Sequence, residues 1–455
     1  MGHSQGTKTL SFKVLKKGPC FMSLPLWIQY AFVAGVAFLG APLFIVLTLL
    51  AIVSMTSVGL DTINIPIEIY RLANAPTVVC IPLFTFAGLI IAESNSPKRL
   101  FRFAQAAFGW IPGGIAVVSL LLCAIFTAFT GASGVTIIAL GGLLFPILKK
   151  EGHRETFSLG FLTSAGSLGL LFPPSLPVMV YGLIAKVDID QLFLAGILPG
   201  VFLIFVLASW AIIDKTFWPE KQQQYKSVLE KKQNFSLQEL WQSFRECFWE
   251  VILPVLIFVS IYGGIATVTE TAALTCFYVL VIEFFVYKDL NFKQHLSKII
   301  TETSSLVGSI LLILCCALAF TNFLIDEEIP EKLFEIVKHY IHSKFVFLIF
   351  LNVFLLIVGC LMDIFSAIVV VVPLIIPLAT EFGVDPIHLA IIFLTNLEIG
   401  YLTPPVGINL FISSNRFNRP MTEIYRASIP FLLLLLLALI VITYVPSMSL
   451  LLLQK

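Results

Sequence analysis

Residues 169–177 read GLLFPPSLP and residues 400–408 read GYLTPPVGI, each inside a long apolar run. Proline has no backbone N–H to donate, and it disfavours helix in the residue before it. Two prolines in succession shortly after a glycine predict a true break rather than a kink. An unwound stretch at membrane depth is tolerated only where it is buried in protein or borders a cavity. The two motifs therefore predict two broken membrane helices, at 155–186 and 386–414, with their breaks inside the protein.

The motifs stand at a constant offset of 231 residues, and the offset continues outward from them. Pro146 matches Pro377, Gly152 matches Gly383, Gly169 matches Gly400 and Pro199 matches Pro430. The same shift carries the apolar–break–apolar stretch 112–148 onto 343–379, and the charged amphipathic stretch 97–109 onto 328–340. The chain thus divides into an N-terminal extension (1–22), repeat 1 (23–213), a cytoplasmic linker (214–249) and repeat 2 (250–455). Repeat 1 holds scaffold helices at 23–94, an arm at 97–109, a re-entrant hairpin at 112–148 and the broken helix 155–186. Repeat 2 holds scaffold helices at 250–324, an arm at 328–340, a hairpin at 343–380 and the broken helix 386–414. Five crossings per repeat, an odd number, invert the second repeat relative to the first. In repeat 1 the first two crossings are 23–40 and 42–57, with a single long helix over 26–54 as the alternative. Inverted repeats with paired broken helices are the pattern of secondary transporters, whose site lies between the breaks.

Composition agrees. Only 12% of the 455 residues are charged and 58% are apolar, where soluble domains carry roughly 25% charge. This excludes a soluble globular fold. The net charge of +1 gives no nucleic-acid footprint. No pair among the eight cysteines has C-x-x-C spacing, and the six histidines form no H-E-x-x-H, so zinc chemistry is not expected. No G-x-x-x-x-G-K-[ST] motif occurs, so the chain carries no ATPase of its own. Eighteen Lys and Arg fall on the side that receives 98–102, 149–154, the linker, 288–298 and 416–426. Six fall on the other side, besides four in the N-terminal extension. The first side is therefore cytoplasmic. The basic N-terminus is the one misfit.

Helix breaks and hairpin tips leave backbone groups that no helix satisfies. Half-helix N-termini suit a carboxylate, and unwound carbonyls with hydroxyls suit Na⁺. The candidate substrate ligands are Thr130, Ser133, Ser167, Ser175, Thr403 and Asn409. The candidate Na⁺ ligands are Ser133, Thr136, Asp363, Ser366, Thr395 and Asn396. Asp363, at the second tip, admits three readings: ion ligand, helix cap or solvated loop residue. Glu398, also at membrane depth, admits two readings: a functional carboxylate, or a structural partner of an arginine such as Arg416. Glu270 is expected to cap the helix that follows it.

These residues resemble a known family. Residues 169–177 with Val180-Tyr181-Gly182, and residues 396–411 (NLEIGYLTPPVGINLF), are similar to the signatures of the large membrane subunit of tripartite ATP-independent periplasmic (TRAP) transporters. Weaker likenesses lie at 81–88, 111–114 and 267–270. The resemblance implies an all-α polytopic membrane protein of elevator type in the bacterial inner membrane. It further implies Na⁺-driven uptake of an organic acid such as a C4-dicarboxylate or a sialic acid. The implied partners are a small four-helix membrane subunit and a periplasmic substrate-binding protein. The family's first hairpin tip reads serine-glycine-serine-serine. Here it reads Thr130-Gly131-Ala132-Ser133, one hydroxyl short. The competing reading is a stand-alone anion or ion exchanger of related fold. An enzyme is not expected, because no His/Asp/Glu set stands at catalytic spacing.

Overall fold

The computed structural model describes residues 25–59, 61–110, 113–217 and 236–453. The N-terminal extension 1–22 and residues 218–235 of the linker lie outside them. Among the described residues the fold is all helical. The first part comprises α1 (Leu26–Phe38), α2 (Leu43–Val58), α3 (Asn64–Ala73), α4 (Cys80–Glu93) and the amphipathic α5 (Ser96–Phe108). Then come α6 (Gly114–Thr130) and α7 (Ser133–Lys150), the pair α8 (Glu155–Ala165) and α9 (Leu176–Ala185), and α10 (Ile189–Phe217). A short α11 (Leu237–Glu246) precedes α12 (Phe248–Tyr262), α13 (Val268–Val281) and the long α14 (Ser297–Asp326). The chain continues through α15 (Ile329–Tyr340), α16 (Lys344–Leu361), α17 (Ile364–Glu381), α18 (Pro386–Gly400), α19 (Ile408–Phe417) and α20 (Met421–Tyr444).

Eight described helices are long and apolar enough to cross a membrane, and nine if α8 and α9, bent by 44° at their break, count as one. Three expected crossings come out short. Helices α1, α2 and α12 have 13, 16 and 15 residues, about 20, 24 and 22 Å at 1.5 Å per residue, against a hydrocarbon core of about 30 Å. Nor do α1 and α2 form one long helix over 26–54. Gly40, at φ +80°, turns the chain between them, and they pack on each other. Within the described part of the linker, α11 lies along α5, with Phe103 against Phe244 and Arg102 2.5 Å from Glu246.

The double prolines break the helices where expected. Between α8 and α9 the chain runs through a 3₁₀ turn at Leu168–Leu171 and the prolines. Between α18 and α19 it is non-helical over 401–407. Helix ends recur at the sequence offset: Ser133–Lys150 matches Ile364–Glu381 residue for residue. Packing also recurs, since α7 lies against α19 while α17 lies against α9.

Small residues let these elements approach backbone to backbone, as membrane helices require when burial of apolar surface gives no advantage over lipid. A Cβ on Gly160 of α8 would stand 2.0 Å from the Ala427 carbonyl oxygen of α20. A Cβ on Gly88 of α4 would stand 2.1 Å from the Phe129 carbonyl oxygen near the end of α6.

Charged groups fix α5 to α12 and the end of α13. Arg99 pairs with Glu250, Glu283 and Asp289, and its guanidinium lies 3.7 Å from the centre of the Tyr287 ring. Ser96 donates to Glu283 at 2.6 Å. Burial pushes the Asp289 carboxyl up, but hydrogen bonds from Arg99 and from the Asn95 N–H outweigh burial and hold it below the usual carboxylate range. Stabilisation of that sign is present above the unfolded pKa and is lost as pH falls through the lower folded value.

Two outcomes follow for stability in detergent. Arg99→Met strands two buried carboxylates and the half-buried Asp289 and should destabilise the protein by about 3–5 kcal/mol; an unchanged melting midpoint would refute the network. Asp289→Asn should remove part of the loss of stability that wild type shows on acidification below the ordinary carboxylate range.

Candidate functional site

The first hairpin tip is the meeting point of the two broken helices. Helix α6 ends at Thr130, Gly131 turns the chain at φ +65°, and α7 begins at Ser133. A Cβ on Gly131 would meet the Leu176 side chain at 2.5 Å, so the tip touches the first residue of α9. Ser133 donates to Asn409 Oδ1 at 2.7 Å, and Gly134 abuts Ile412, so the same tip touches the first turn of α19. Neither α9 nor α19 has a side-chain cap at its N-terminus. Two half-helix N-termini thus flank one tip, although Pro177 has no N–H and the Asn409 and Leu410 N–H groups already donate to the Tyr401 and Gly407 carbonyl oxygens.

Behind the tip runs a buried polar chain. Asn409 donates through Nδ2 to the Thr163 carbonyl oxygen at 3.4 Å, and Thr163 donates to Ser413 at 2.9 Å. The Thr136 and Thr127 hydroxyls lie 2.7 Å apart, and Thr127 also donates to the Gly166 carbonyl oxygen at 2.8 Å. The structure therefore joins Ser133, Thr136 and Asn409 to residues of α6, α8 and α19. The other expected substrate ligands make local bonds. Thr130 donates to the Ala132 carbonyl oxygen, Ser167 to that of Ser164, Ser175 to that of Leu170 and Thr403 to that of Ile399.

The second tip is built differently. Asp363 caps α17, accepting from the Ser366 N–H at 3.0 Å and from the Ser366 hydroxyl. Tyr401, in the second break, accepts at its hydroxyl from the Ile364 N–H at 2.6 Å. Gly400 packs directly on Gly359 of α16. Asn396 is turned toward α16: its Nδ2 donates to Asn352 Oδ1 at 2.7 Å, and Asn352 donates in turn to Thr443 of α20 at 3.1 Å. Asn352 escaped the sequence reading; its signal was a lone carboxamide in the apolar run 345–361. Glu270 forms the expected capping box with Thr267.

One reading fails outright. Glu398 does not pair with Arg416, whose guanidinium lies over Gly142 of α7. A pairing read from sequence distance ignored the break between α18 and α19, which aims the two residues at different neighbours. Glu398 is completely buried, and neither carboxyl oxygen has a hydrogen-bond partner. Thr395 Oγ1 and Asn396 Oδ1 are likewise buried without partners.

A helical membrane protein with two interrupted helices meeting at a hairpin tip has the architecture of a transporter permease. The family model of the "Tripartite ATP-independent periplasmic transporter, DctM component" matches residues 30–448. The chain belongs to this family, the large permease subunits of TRAP transporters. It is 34% identical over 387 residues to the C4-dicarboxylate TRAP transporter large permease protein DctM of Pseudomonas aeruginosa, covering 85% of this chain and 88% of that one. It is 31% identical over 424 residues to the isethionate TRAP transporter permease protein DctMQ of Oleidesulfovibrio alaskensis. That match covers 93% of this chain but 65% of the relative's length. Among solved structures, the YdaH transporter of Alcanivorax borkumensis aligns with a TM-score of 0.57 at 12% identity, over 83% of this chain and 86% of that one, a likeness of fold.

Ser133→Ala leaves the buried Asn409 Oδ1 unpaired and should destabilise the protein by about 1–3 kcal/mol. Asn409→Ala removes the same bond from the other side, so a double-mutant cycle in thermal denaturation should show coupling. Additive effects would mean that the bond between tip and half-helix is absent.

Proposed function

We propose that this chain is the transport subunit of a Na⁺-coupled secondary transporter that imports an organic acid delivered by a binding protein. The observation that carries the reading is the contact of both half-helix N-termini with the first hairpin tip. An anionic group held there receives backbone N–H groups and the positive ends of two helix dipoles at once. The two relatives are named for C4-dicarboxylate and isethionate, both organic anions. The partners are a small four-helix membrane subunit and a periplasmic substrate-binding protein, as in the family. The relative designated DctMQ carries its large-subunit likeness within a longer chain. The membrane is the bacterial inner membrane, with the basic loops inside.

The mechanism is an elevator of two inverted repeats. The hairpins (α6–α7 and α16–α17) and broken helices (α8–α9 and α18–α19) move as one unit against α2, α4 and α12–α14. The arms α5 and α15 connect them. Arg99 and its carboxylates anchor the first arm to the static part. Gly88 offers α6 a surface without a protruding side chain to slide along. A cleft of about 670 Å³ separates the loop at 186–190 from the loop at 264–267, on the side assigned to the periplasm. Its width changes as the unit moves. Na⁺ enters as cargo and orders the tips, so that a loaded unit crosses more readily than one carrying a single solute.

The test is uptake into proteoliposomes holding this chain and its small subunit, with and without binding protein and an inward Na⁺ gradient. The acid to use is the one that copurifies with the binding protein. Uptake should require every component and fall to background without Na⁺. Uptake by this chain alone would replace the reading with a stand-alone carrier. Within the same assay, Gly88→Leu should abolish uptake while substrate-induced thermal stabilisation of the purified permease remains.

A further inference from the structure

The linker helix α11 reads LQELWQSFRE, and at 3.6 residues per turn its side chains fall on three faces. One face is closed by the arm α5: Ser243 is buried, and the Phe244 ring lies 5.7 Å from that of Phe103. A second face carries Gln238, Gln242 and Arg245, all exposed. The third carries Leu237 and Trp241, one turn apart and 72% and 63% exposed. The helix is already held to α5 by other residues, so this apolar pair does not serve that contact.

The uncovered face continues into the membrane part. Helix α12 begins at Phe248, directly after α11. Trp241 stacks on Phe244 with ring centres 5.9 Å apart, and Phe244 meets Phe248 edge-on at 5.8 Å. Phe248, Val255 and Val259, seven and four residues apart in turn, then share one exposed face of the apolar α12. Trp241, Phe248 and Trp249 stand together where the linker enters the apolar helix, the level at which aromatic residues gather at a membrane boundary. A helix with Leu, Trp and Phe on one face and polar groups on another lies in that boundary plane.

We propose that α11 is a bilayer-surface helix whose exposed Leu237, Trp241 and Phe248 are covered by phospholipid of the inner leaflet. The chemistry on the two sides matches. An indole ring is apolar across its face and needs a wet partner for its N–H, and the headgroup boundary supplies both. Arg245, on the adjoining polar face, adds attraction to anionic headgroups. Phe244 and Glu246 tie α11 to Phe103 and Arg102 of α5, so lipid contact fixes the depth of the cytoplasmic arm. The contact itself is independent of the transport reading above; its effect on uptake rests on that reading.

The experiment is tryptophan fluorescence of the permease with its small subunit in phosphatidylcholine–phosphatidylglycerol vesicles whose acyl chains carry bromine. The emission lost between wild type and Trp241→Phe isolates Trp241. That component should be quenched by bromolipid, more by bromines near the headgroup than by those near the chain end, and shielded from aqueous iodide. Quenching by iodide and not by bromolipid would overturn the proposal in favour of a water-facing helix. Protection from both quenchers would overturn it in favour of a protein cover, the small subunit first. Quenching is read without transport, so failure of the contact and failure of the transport reading are distinguishable. In uptake, Trp241→Glu should lower the rate several-fold while Trp241→Phe keeps it; a wild-type rate in Trp241→Glu would overturn the anchoring of the arm. If Trp241→Glu does not assemble, the quenching comparison, which needs only Trp241→Phe, decides alone.

Discussion

Inside a membrane a backbone N–H or C=O without a partner costs several kcal/mol, because no water is there to replace the lost hydrogen bond. Every unusual feature of this chain follows from interrupting helices under that constraint. The first break is made by Pro173 and Pro174, and the groups it frees are enclosed by the first hairpin tip and by α19. Thr127 and Asn409 donate to the Gly166 and Thr163 carbonyl oxygens, Ser175 donates to that of Leu170, and Ser133 holds the Asn409 side chain. The second break is enclosed by α16 and the second tip, through Tyr401 and the contact of Gly400 with Gly359. Each broken helix therefore depends on a hairpin, and in the first case on the other half of the chain as well. The first half cannot close its break with its own residues alone, whereas the second break is closed within its own half.

The same constraint explains the glycines. Lipid tails are as apolar as leucine, so association rests on close packing and hydrogen bonds rather than on release of water. Gly160 against Ala427, Gly169 against Ala124 and Gly196 against Leu171 bring carbonyl oxygens to within 2.2 Å of where a Cβ would stand. Such contacts make α8, α10, α20 and the first break one rigid body. The contact of Gly88 with Phe129 has the same geometry but joins α4, which packs on α13 and α14, to the hairpin.

The sequence carried the breaks because proline acts locally, and it carried the helix ends at one offset because prolines and glycines mark them. The length of α1 and α2 was less legible: Gly40-Ala41-Pro42 shows a turn, but not that the flanking apolar runs stop short of a span. Site chemistry was legible as residue type and not as pairing. Ser133 and Asn409 were each visible beside a break, yet their bond joins residues 276 positions apart, and nothing in local spacing implies it. The Asn352–Asn396 pair is similar. The expected Glu398–Arg416 pair shows the reverse error, since two residues near in sequence lie on opposite sides of an unwound segment and face different helices.

The buried carboxylates show how such a protein separates holding from working. Around Arg99, three acids, a serine and a tyrosine ring satisfy one guanidinium, and the cluster joins an arm to the scaffold. Its charges are matched from within the chain, so nothing has to arrive for it to be stable, and it can serve as a fixed point. Glu398 has the opposite arrangement: comparable burial, no cation of the protein, and a helix end whose dipole opposes its charge. At membrane depth such a carboxyl is tolerated only when its charge is neutralised, by a proton or by a cation from outside the chain. The paired cluster needs nothing from solution; the unpaired carboxyl does.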